Sequence, residues 1–316
     1  MILTISLILY TFIFILYSFN LSTTVMFFIR FLHGISWGIT TTAATTIAID
    51  NIPSQKRGEG IGIYGISMTL AMAIGPMIGI IISDAFDYSF MFYSSTLICI
   101  ISVILILFID KSKVFQKKSY SSFLEYKNIF DKKSLPVSLN FMLIAIPYGV
   151  ISAFISLYTK EINIGDTGLF FIIYSTGVAI SRIFGGKVFD KNGPDKLIIA
   201  STFLIITGFI LLALCNNIFI YVLSSFILGL GFGISFPTYQ TMVNYIINIE
   251  KRGTANSTFL ATLDFGIGIG MIMAGIVSDF FSISTSFIFS SIIVFLSYII
   301  YLFNIKKYYH SNLLLK

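Results

Sequence analysis

The chain has 316 residues, of which 56% are hydrophobic and only 11% are charged, and its mean hydropathy is +0.93. Soluble domains normally carry about 25% charged residues. The 20 basic and 14 acidic side chains are therefore too few to cover a water-facing surface. This composition excludes a soluble enzyme, a nucleic-acid-binding protein and a disordered scaffold, and it predicts a protein whose main solvent is lipid. The net charge of +6 is then expected from basic loops that orient helices at insertion.

Residues that bind metals or form disulfides are scarce. Cys99 and Cys215 are far apart and lie in apolar runs, so they indicate neither a disulfide framework nor a metal site. His33 and His310 are the two histidines, which leaves few ligands for zinc or haem. The chain contains no P-loop, HExxH, CxxC or paired-carboxylate motif. We therefore expect no cofactor, no metal and no catalytic residues, and the sequence predicts that the protein is not an enzyme.

Ten apolar runs are long enough to cross about 30 Å of hydrocarbon, which takes roughly 20 residues each. Each is expected to be a helix, because lipid offers backbone groups no hydrogen-bond partner. The predicted class is an all-α polytopic membrane protein. The ten predicted spans are 1–19, 23–49, 59–83, 89–109, 136–159, 166–185, 195–215, 218–247, 256–278 and 284–304.

The basic residues are segregated to one side of this predicted topology. Eighteen of the 20 fall in alternate loops, at span ends or in the tail, and the exceptions are Lys160 and Arg30, the latter within the second span. Positively charged loops remain in the cytoplasm at insertion. The pattern supports ten spans and predicts a multi-pass protein of the cell membrane with both termini cytoplasmic.

The two parts of the chain repeat each other at an offset of 195 residues. Gly34 aligns with Gly229 and Gly38 with Gly233, and Lys56-Arg57-Gly58 aligns with Lys251-Arg252-Gly253. Long repeats of this kind indicate two homologous helical bundles.

The repeat is unequal, with four spans in its first copy and six in its second. The predicted organisation is an incomplete bundle at 1–109, a Lys-rich cytoplasmic loop at 110–135 and a complete bundle at 136–316. By the offset, the first copy lacks roughly 60 residues, or two helices, before Met1. We expect either an N-terminal truncation or a misassigned start.

The loop after the sixth span reads GGKVFDKNGPDK. With the 6 + 6 repeat and the basic central loop, it resembles the major facilitator superfamily of secondary transporters, in which Gly186, Asp190 and Gly193 match a loop signature. The resemblance implies that Asp190 gates the inner side by approaching the positive end of the helix opening at Asn256. The alternative is an ordinary Gly/Asp turn.

The second span contains RFLHGISWG, in which Arg30, Gly34 and Gly38 resemble the fourth-helix motif of the family. An arginine inside a span is costly unless it is paired or faces water, so Arg30 is a candidate for proton or substrate coupling. Snorkelling to the interface is the alternative. His33 and Trp37 follow on the same face as candidates for titration and for lining a cavity, and helix packing is the alternative for both.

The third span reads AMAIGPMIG, and its Gly75, Pro76 and Gly79 resemble the fifth-helix signature of the drug:proton antiporter branch. Glycine permits close helix approach, and proline bends the helix. Ala71 and Ile80 depart from that signature. The resemblance implies export rather than uptake.

Asp264 in the ninth span is the most distinctive single residue of the sequence. A carboxylate inside a membrane helix is a functional candidate by default, here for proton coupling. The alternative is a structural acid bonded to a facing helix. On the same helix, Gly266 and Gly270 predict close packing. Weaker candidates for the substrate pathway are the polar residues Asn140, Tyr148, Tyr174, Tyr239 and Gln240.

These features predict a secondary active transporter with a two-bundle major-facilitator fold. The resemblance implies proton-coupled efflux of a small organic solute by alternating access. The expected partners are the solute, protons and the lipid bilayer, with no nucleic acid and a monomeric state. Two alternatives remain, a truncated membrane protein that does not transport and an uptake permease of the same superfamily.

Overall fold

The computed structural model describes residues 2–19, 21–51, 64, 67, 71, 74–75, 78–79, 81–83, 85–108, 130–248 and 251–313, excluding the side chains of 46, 49–51, 183–188 and 190–192. The chain divides into two compact units. Unit 1 comprises residues 1–71 and 75–123, and unit 2 comprises residues 72–74 and 124–316.

Unit 1 contains three fully described helices. They are α1 (Ile2–Tyr17), α2 (Thr23–Asn51) and α3 (Tyr88–Leu107). Helix α1 packs against both α2 and α3. The Asp87 carboxylate accepts a hydrogen bond from the Phe90 amide at 2.8 Å and so fixes the start of α3.

Unit 2 is a bundle of six long helices with a helical C-terminal extension. The helices are α4 (Leu135–Ile162), α5 (Thr167–Asn192), α6 (Asp195–Ala213), α7 (Ile218–Ile246), α8 (Arg252–Phe280) and α9 (Ile283–Ile300), followed by a π-helical turn (Tyr301–Ile305) and α10 (Lys306–Asn312). Side-chain caps at Asp166, Asn217 and Ser282 begin α5, α7 and α9.

Within the described residues, six helices are long and apolar enough to cross a membrane. They are α3, α4, α6, α7, α8 and the continuous run from α9 through α10, and α1 and the Thr167–Arg182 part of α5 are shorter apolar helices. The third predicted span, 59–83, lies mostly outside the described residues. The total of ten spans and the division at 109 and 136 therefore stay predictions.

The helices of unit 2 pack in two equivalent sets. Helix α4 contacts α8 and α9, while α7 contacts α5 and α6. Exchanging α4 with α7, α5 with α8 and α6 with α9 turns the first pair of contacts into the second pair. Such an internal three-plus-three relation is typical of transporter bundles.

Glycines allow the backbones to meet at the contacts that build this bundle. On the α4–α8 contact, a Cβ on Gly270 would collide with the carbonyl of Ile146, and one on Gly266 would lie 2.7 Å from the Met142 carbonyl oxygen. On the equivalent α5–α7 contact, a Cβ on Gly229 would collide with the carbonyl of Tyr174. No other residue type permits this approach.

Helix α5 runs seven residues beyond the predicted end of its span at 185. The predicted loop signature therefore lies largely on a helix. Val188 and Phe189 continue the apolar pattern, and the helix stops only at Gly193-Pro194. Gly193 adopts φ +72° and its amide donates to the Phe189 carbonyl at 2.8 Å. Gly186 lies within the helix, and the Asp190 side chain is outside the described residues.

One charged cluster attaches the C-terminal extension to the bundle. The Asp195 carboxylate accepts a hydrogen bond from the Tyr301 hydroxyl at 2.5 Å and pairs with Lys306 Nζ at 3.0 Å and His310 Nε2 at 3.3 Å. Tyr309 is buried against the same bundle. Helix α10 is therefore a packed part of unit 2.

We predict that Gly270→Ala lowers stability. Overpacking costs about 1–3 kcal/mol, which corresponds to a loss of roughly 2–10 °C in the melting temperature. The measurement is the thermal unfolding of detergent-purified protein. Gly268→Ala is the matched control, because a Cβ there has no neighbour within 4 Å among the described residues. Equal melting temperatures for the two variants would contradict the glycine account.

Candidate functional site

Asp264 lies midway along α8, on the side of the helix opposite its packed glycines. It stands twelve residues after Arg252, about 18 Å along the helix axis, and about 160° around the axis from Gly266. The side chain is exposed on the surface of unit 2, and it forms no hydrogen bond or ion pair with a described residue. Asp264 therefore has no bond to a facing helix among the described residues, as the alternative of a structural acid would require.

The face that carries Asp264 differs from the apolar face beside it. Gly268, Gly275 and Met271 lie within about 40° of Asp264. Phe265 and Ile272 lie about 80–100° away and are 68% and 67% exposed, against 40% for Met271. A carboxylate at the centre of a lipid-facing helix costs about 2.5–3.5 kcal/mol. We therefore expect Phe265 and Ile272 to face lipid and Asp264 to face water or protein.

Arg182 is a second isolated charge, on α5. It lies fifteen residues after Thr167, about 22 Å along the axis, and ten residues before the helix ends. The residue is half-buried, its Nε is enclosed without a hydrogen-bond partner, and its Cζ lies 5.8 Å from the centre of the Phe236 ring on α7. Sequence reasoning counted it with the basic residues at the end of the sixth predicted span, 166–185.

Three aromatic side chains from three helices meet on the same bundle. The Tyr148 ring on α4 lies 6.5 Å from Tyr174 on α5 and 5.6 Å from Phe232 on α7. Phe232 is one helical turn from Phe236. Neither tyrosine hydroxyl forms a hydrogen bond within the described part of the chain. Tyr148, a predicted pathway residue, therefore keeps a free polar group.

Asn140 and Tyr239, two other predicted pathway residues, are enclosed and mutually bonded. The Tyr239 hydroxyl donates to Asn140 Oδ1 at 2.6 Å, and Asn140 Nδ2 donates to the Ser297 carbonyl at 2.9 Å. Ser297 Oγ in turn donates to the Asn140 carbonyl at 3.1 Å. Both residues are at most 2% exposed. This network joins α4, α7 and α9, and its polar groups are already satisfied.

Gln240 belongs to an amide cluster between α7 and α8. Asn256 Nδ2 donates to Asn244 Oδ1 at 2.9 Å, and Gln240 Nε2 approaches Asn256 Oδ1 at 3.4 Å. Asn256 lies in the second turn of α8, since that helix begins at Arg252 and not at Asn256 as the predicted span did. The predicted approach of Asp190 to this helix end involves a side chain outside the described residues.

The predicted polar residues of unit 1 share one aromatic cluster between α1 and α2. The Arg30 Cζ lies 5.0 Å from the centre of the Tyr17 ring, and the Tyr17 hydroxyl is 3.0 Å from His33 Nδ1. Tyr10 contacts both the His33 ring, at 4.7 Å, and the Trp37 ring, at 5.9 Å. A cation over an aromatic face gains about 0.5–2 kcal/mol, so Arg30 has a defined protein partner.

The remaining predicted glycine positions of unit 1 are open. A Cβ on Gly34, Gly38 or Gly75 would have no neighbour within 4 Å among the described residues, and one on Gly79 would meet only Met91 Sδ at 3.9 Å. Pro76 lies outside the described residues.

Sequence reasoning missed Arg182, Tyr10 and Tyr17 as site residues. The signal for Arg182 was present, because it lies within the predicted span 166–185, as Arg30 lies within the second span. No comparable signal marks Tyr10 and Tyr17 among 17 tyrosines. Their contacts with Arg30, His33 and Trp37 follow only from the packing of α1 against α2.

Comparison with known proteins identifies the family. The family model described as Major Facilitator Superfamily matches residues 1–164 and 137–314. The chain belongs to the Major Facilitator Superfamily. This superfamily consists of transporters and not of enzymes, which agrees with the sequence prediction, and the predicted all-helical major-facilitator fold is confirmed. Members of this superfamily carry small molecules across membranes, which agrees with the apolar helices of a multi-pass membrane protein.

Similar proteins include two bacterial relatives and a solved human structure. The chain is 24% identical over 244 residues to the staphylopine export protein of Staphylococcus aureus, covering 73% of this chain and 61% of that protein. It is 27% identical over 282 residues to the multidrug resistance protein MdtG of Proteus mirabilis, covering 86% and 70%. The crystal structure of the human organic anion transporter MFSD10 superposes with a TM-score of 0.69 at 14% identity, covering 94% and 75%. The chain thus spans about three fifths of the length of the staphylopine export protein.

We predict that Tyr239→Phe destabilises the protein without changing its transport specificity. The loss of a satisfied interhelical hydrogen bond costs about 0.6–1.7 kcal/mol in a membrane bundle, and Asn140 Oδ1 is left without its donor. Thermal unfolding and a transport assay measure the two effects. Tyr148→Phe is the matched control, because its hydroxyl has no such bond, and it should leave stability unchanged. A changed solute range for Tyr239→Phe at normal stability would contradict the structural role.

Proposed function

We propose that this chain forms the transport core of a proton-coupled exporter of a small organic solute, in the drug:proton antiporter branch of the superfamily. The observation that carries the proposal is the Asp264 carboxylate, which stands midway along α8 without a hydrogen bond or ion pair among the described residues. A membrane acid with no fixed partner is suited to exchange protons with water.

Proton binding would change which conformation of the transporter is favoured. The ionised carboxylate requires water or a cation, whereas the protonated acid can be enclosed by protein at much lower cost. Alternating access needs such a difference, because a ligand shifts an equilibrium only by its different affinity for the two states. Protonation of Asp264 would therefore favour conformations in which protein encloses its side chain.

The cluster of unit 1 supplies a second candidate for coupling. His33 is hydrogen-bonded to Tyr17, whose ring also holds Arg30. A change in the charge of His33 would alter the hydrogen bond between its Nδ1 and the Tyr17 hydroxyl. That hydroxyl can donate to the neutral imidazole or accept from it. Arg30, His33 and Trp37 thus remain the proposed coupling residues of this unit.

Two observations favour export over uptake. The Gly75, Pro76 and Gly79 string resembles the signature of the antiporter branch, and the curated relatives are named as a staphylopine export protein and a multidrug resistance protein. We further propose a monomer in the plasma membrane with both termini cytoplasmic, as the segregation of basic residues indicates. Uptake remains the second candidate, and the direction of solute movement in oriented vesicles distinguishes the two.

We predict that Asp264→Asn reduces proton movement by about tenfold or more, the equivalent of at least roughly 1.4 kcal/mol. The amide keeps the size of the carboxyl group but cannot exchange a proton at neutral pH. The measurement uses proteoliposomes containing the pH indicator pyranine, to which ethidium, tetraphenylphosphonium or 1-naphthoate is added. Insertion, judged from the amount of protein reconstituted, should be unchanged.

The matched control is Asp279→Asn, which removes the same charge from the last turn of the same helix. This variant should retain the wild-type rate. Wild-type proton movement by Asp264→Asn would remove Asp264 from the mechanism. The absence of proton movement by the wild type with all three probes would contradict proton-coupled transport of this range of solutes.

We also propose that two further helices complete unit 1 in the full-length protein. Gly34 and Gly38 align in the repeat with Gly229 and Gly233, which are covered by α5. In unit 1 the same positions are open among the described residues. Glycines at this spacing permit a helix to pack closely on them, so an equivalent of α5 would fit on this face of α2.

The intact mass of the natively expressed protein tests this completion. Two helices with their loop add roughly 60 residues, so we predict a mass several kDa above the 35.2 kDa of the present chain. A measured mass of 35.2 kDa would contradict the completed bundle and favour the alternative of a chain that inserts but does not transport.

A further inference from the structure

We propose that Arg182 and the rings of Tyr148, Tyr174, Phe232 and Phe236 form a binding site for an aromatic organic acid, with the guanidinium holding its carboxylate. We call these five residues the arginine–aromatic face. The inference rests on the proposed transport function and adds a substrate class to it. It concerns unit 2 alone, because all five residues belong to helices α4, α5 and α7 of that unit.

No described residue accepts a hydrogen bond from the guanidinium of Arg182 or forms an ion pair with it. Its Nε is enclosed and donates no hydrogen bond to the described part of the chain. The terminal nitrogens also donate none to a described residue, and they are not fully enclosed. Arginine has five N–H donors and no acceptor, and it stays charged at physiological pH. The unmet need is therefore for an anion.

The acidic residues described in unit 2 do not meet this need. Asp195 is engaged by Lys306, His310 and Tyr301, and Asp166 accepts the cap hydrogen bond from Leu169. Asp264 forms no ion pair with Arg182. The only close aromatic partner of the guanidinium is the Phe236 ring, at 5.8 Å within the described part of the chain. An external carboxylate can pair with the planar guanidinium through two parallel hydrogen bonds.

The ring in contact with Arg182 and the rings that continue from it indicate that the acid carries an aromatic group. The Phe236 ring lies beside the guanidinium, and Phe232 lies one turn before Phe236 on α7. Tyr148 and Tyr174 approach Phe232 at 5.6 and 6.3 Å, so the four rings come from three helices, and the side chains of Tyr148, Phe232 and Phe236 are only partly buried. Offset or edge-to-face contacts with such rings stabilise an aromatic ligand. The unbonded hydroxyls of Tyr148 and Tyr174 offer further polar contacts.

The electrostatics of the face agree with an anionic ligand. Arg182 carries the one positive charge among these five residues and lies two turns after Tyr174 on α5. A neutral or cationic aromatic solute would leave the guanidinium without a counter-charge on binding. We therefore assign the preference for an acid to Arg182 and the preference for an aromatic group to the four rings.

The test compares 1-naphthoate with the neutral 1-naphthamide, which has the same ring system. Binding of each radiolabelled compound is measured by equilibrium dialysis, using the full chain in phosphatidylcholine nanodiscs. We expect the wild type to bind naphthoate about tenfold more tightly than naphthamide. Arg182→Gln should remove this preference while leaving the affinity for naphthamide unchanged. Equal affinities of the wild type for the two compounds would overturn the inference.

Arg252→Gln is the matched control, because Arg252 also has an enclosed Nε without a partner but lies at the start of α8. It should keep the full preference for naphthoate, and a loss equal to that of Arg182→Gln would overturn the assignment. If Arg182→Gln does not yield monodisperse protein, Arg182→Lys is measured. Its point charge cannot form the bidentate pair, so we expect the preference to fall about threefold, and an unchanged preference would overturn the inference.

Three further outcomes distinguish this proposal from lipid binding at Arg182 and from proton coupling at Asp264. Loss of naphthoate binding when the nanodiscs contain phosphatidylglycerol would show a lipid phosphate on Arg182 and overturn the assignment to a solute. Arg182-dependent naphthoate binding without proton movement would support this inference and contradict the proton coupling at Asp264. Proton movement with ethidium but no preference for naphthoate would support proton coupling and overturn the aromatic-acid site.

Discussion

The close approach of helix backbones at glycine is the interaction on which unit 2 depends. Lipid does not drive apolar helices together, so their association relies on packing and on interhelical hydrogen bonds. Gly270 against the Ile146 carbonyl and Gly229 against the Tyr174 carbonyl bring the paired helices to the shortest distance that a backbone permits. Because the α5–α7 contact also places Gly233 against Ser181, the neighbouring Arg182 and Phe236 come to face each other.

The polar residues of this bundle divide into satisfied and unsatisfied groups. Asn140 and Tyr239 bond to each other, and the amides of Asn244 and Asn256 do the same, so these groups stabilise helix contacts. Asp264 and Arg182 have no such partners among the described residues. An unmet charge within a membrane helix is costly to keep. We attribute its retention to transport, with a proton for Asp264 and an anionic solute for Arg182.

Much of the fold could be predicted from the sequence. Composition excluded a soluble protein, apolar length placed most of the helices, and the motifs led to the correct superfamily. Helix ends were harder, because the apolar pattern of α5 continues through Phe189 and the helix ends at Gly193.

The candidate site could be predicted only in part. Burial and bonding decide whether a polar side chain is free, and neither can be read from a single helix. Tyr148 and Tyr239 were equal candidates in the sequence, yet Tyr239 is fully enclosed and bonded whereas Tyr148 is not. Arg182 was grouped with the basic residues at the end of the sixth predicted span, because that span was expected to end three residues later.

The measurement that tests the account most directly is the access of water to positions 264 and 182. A single cysteine is placed at 264, 182 or 272 after Cys99 and Cys215 have been replaced by serine, and its reaction with a membrane-impermeant thiol reagent is followed in intact membranes. The account predicts rapid reaction of Asp264→Cys and Arg182→Cys and slow reaction of Ile272→Cys, which lies on the apolar face of α8. Equal and slow reaction at all three positions would place Asp264 and Arg182 out of reach of water and contradict their roles in transport.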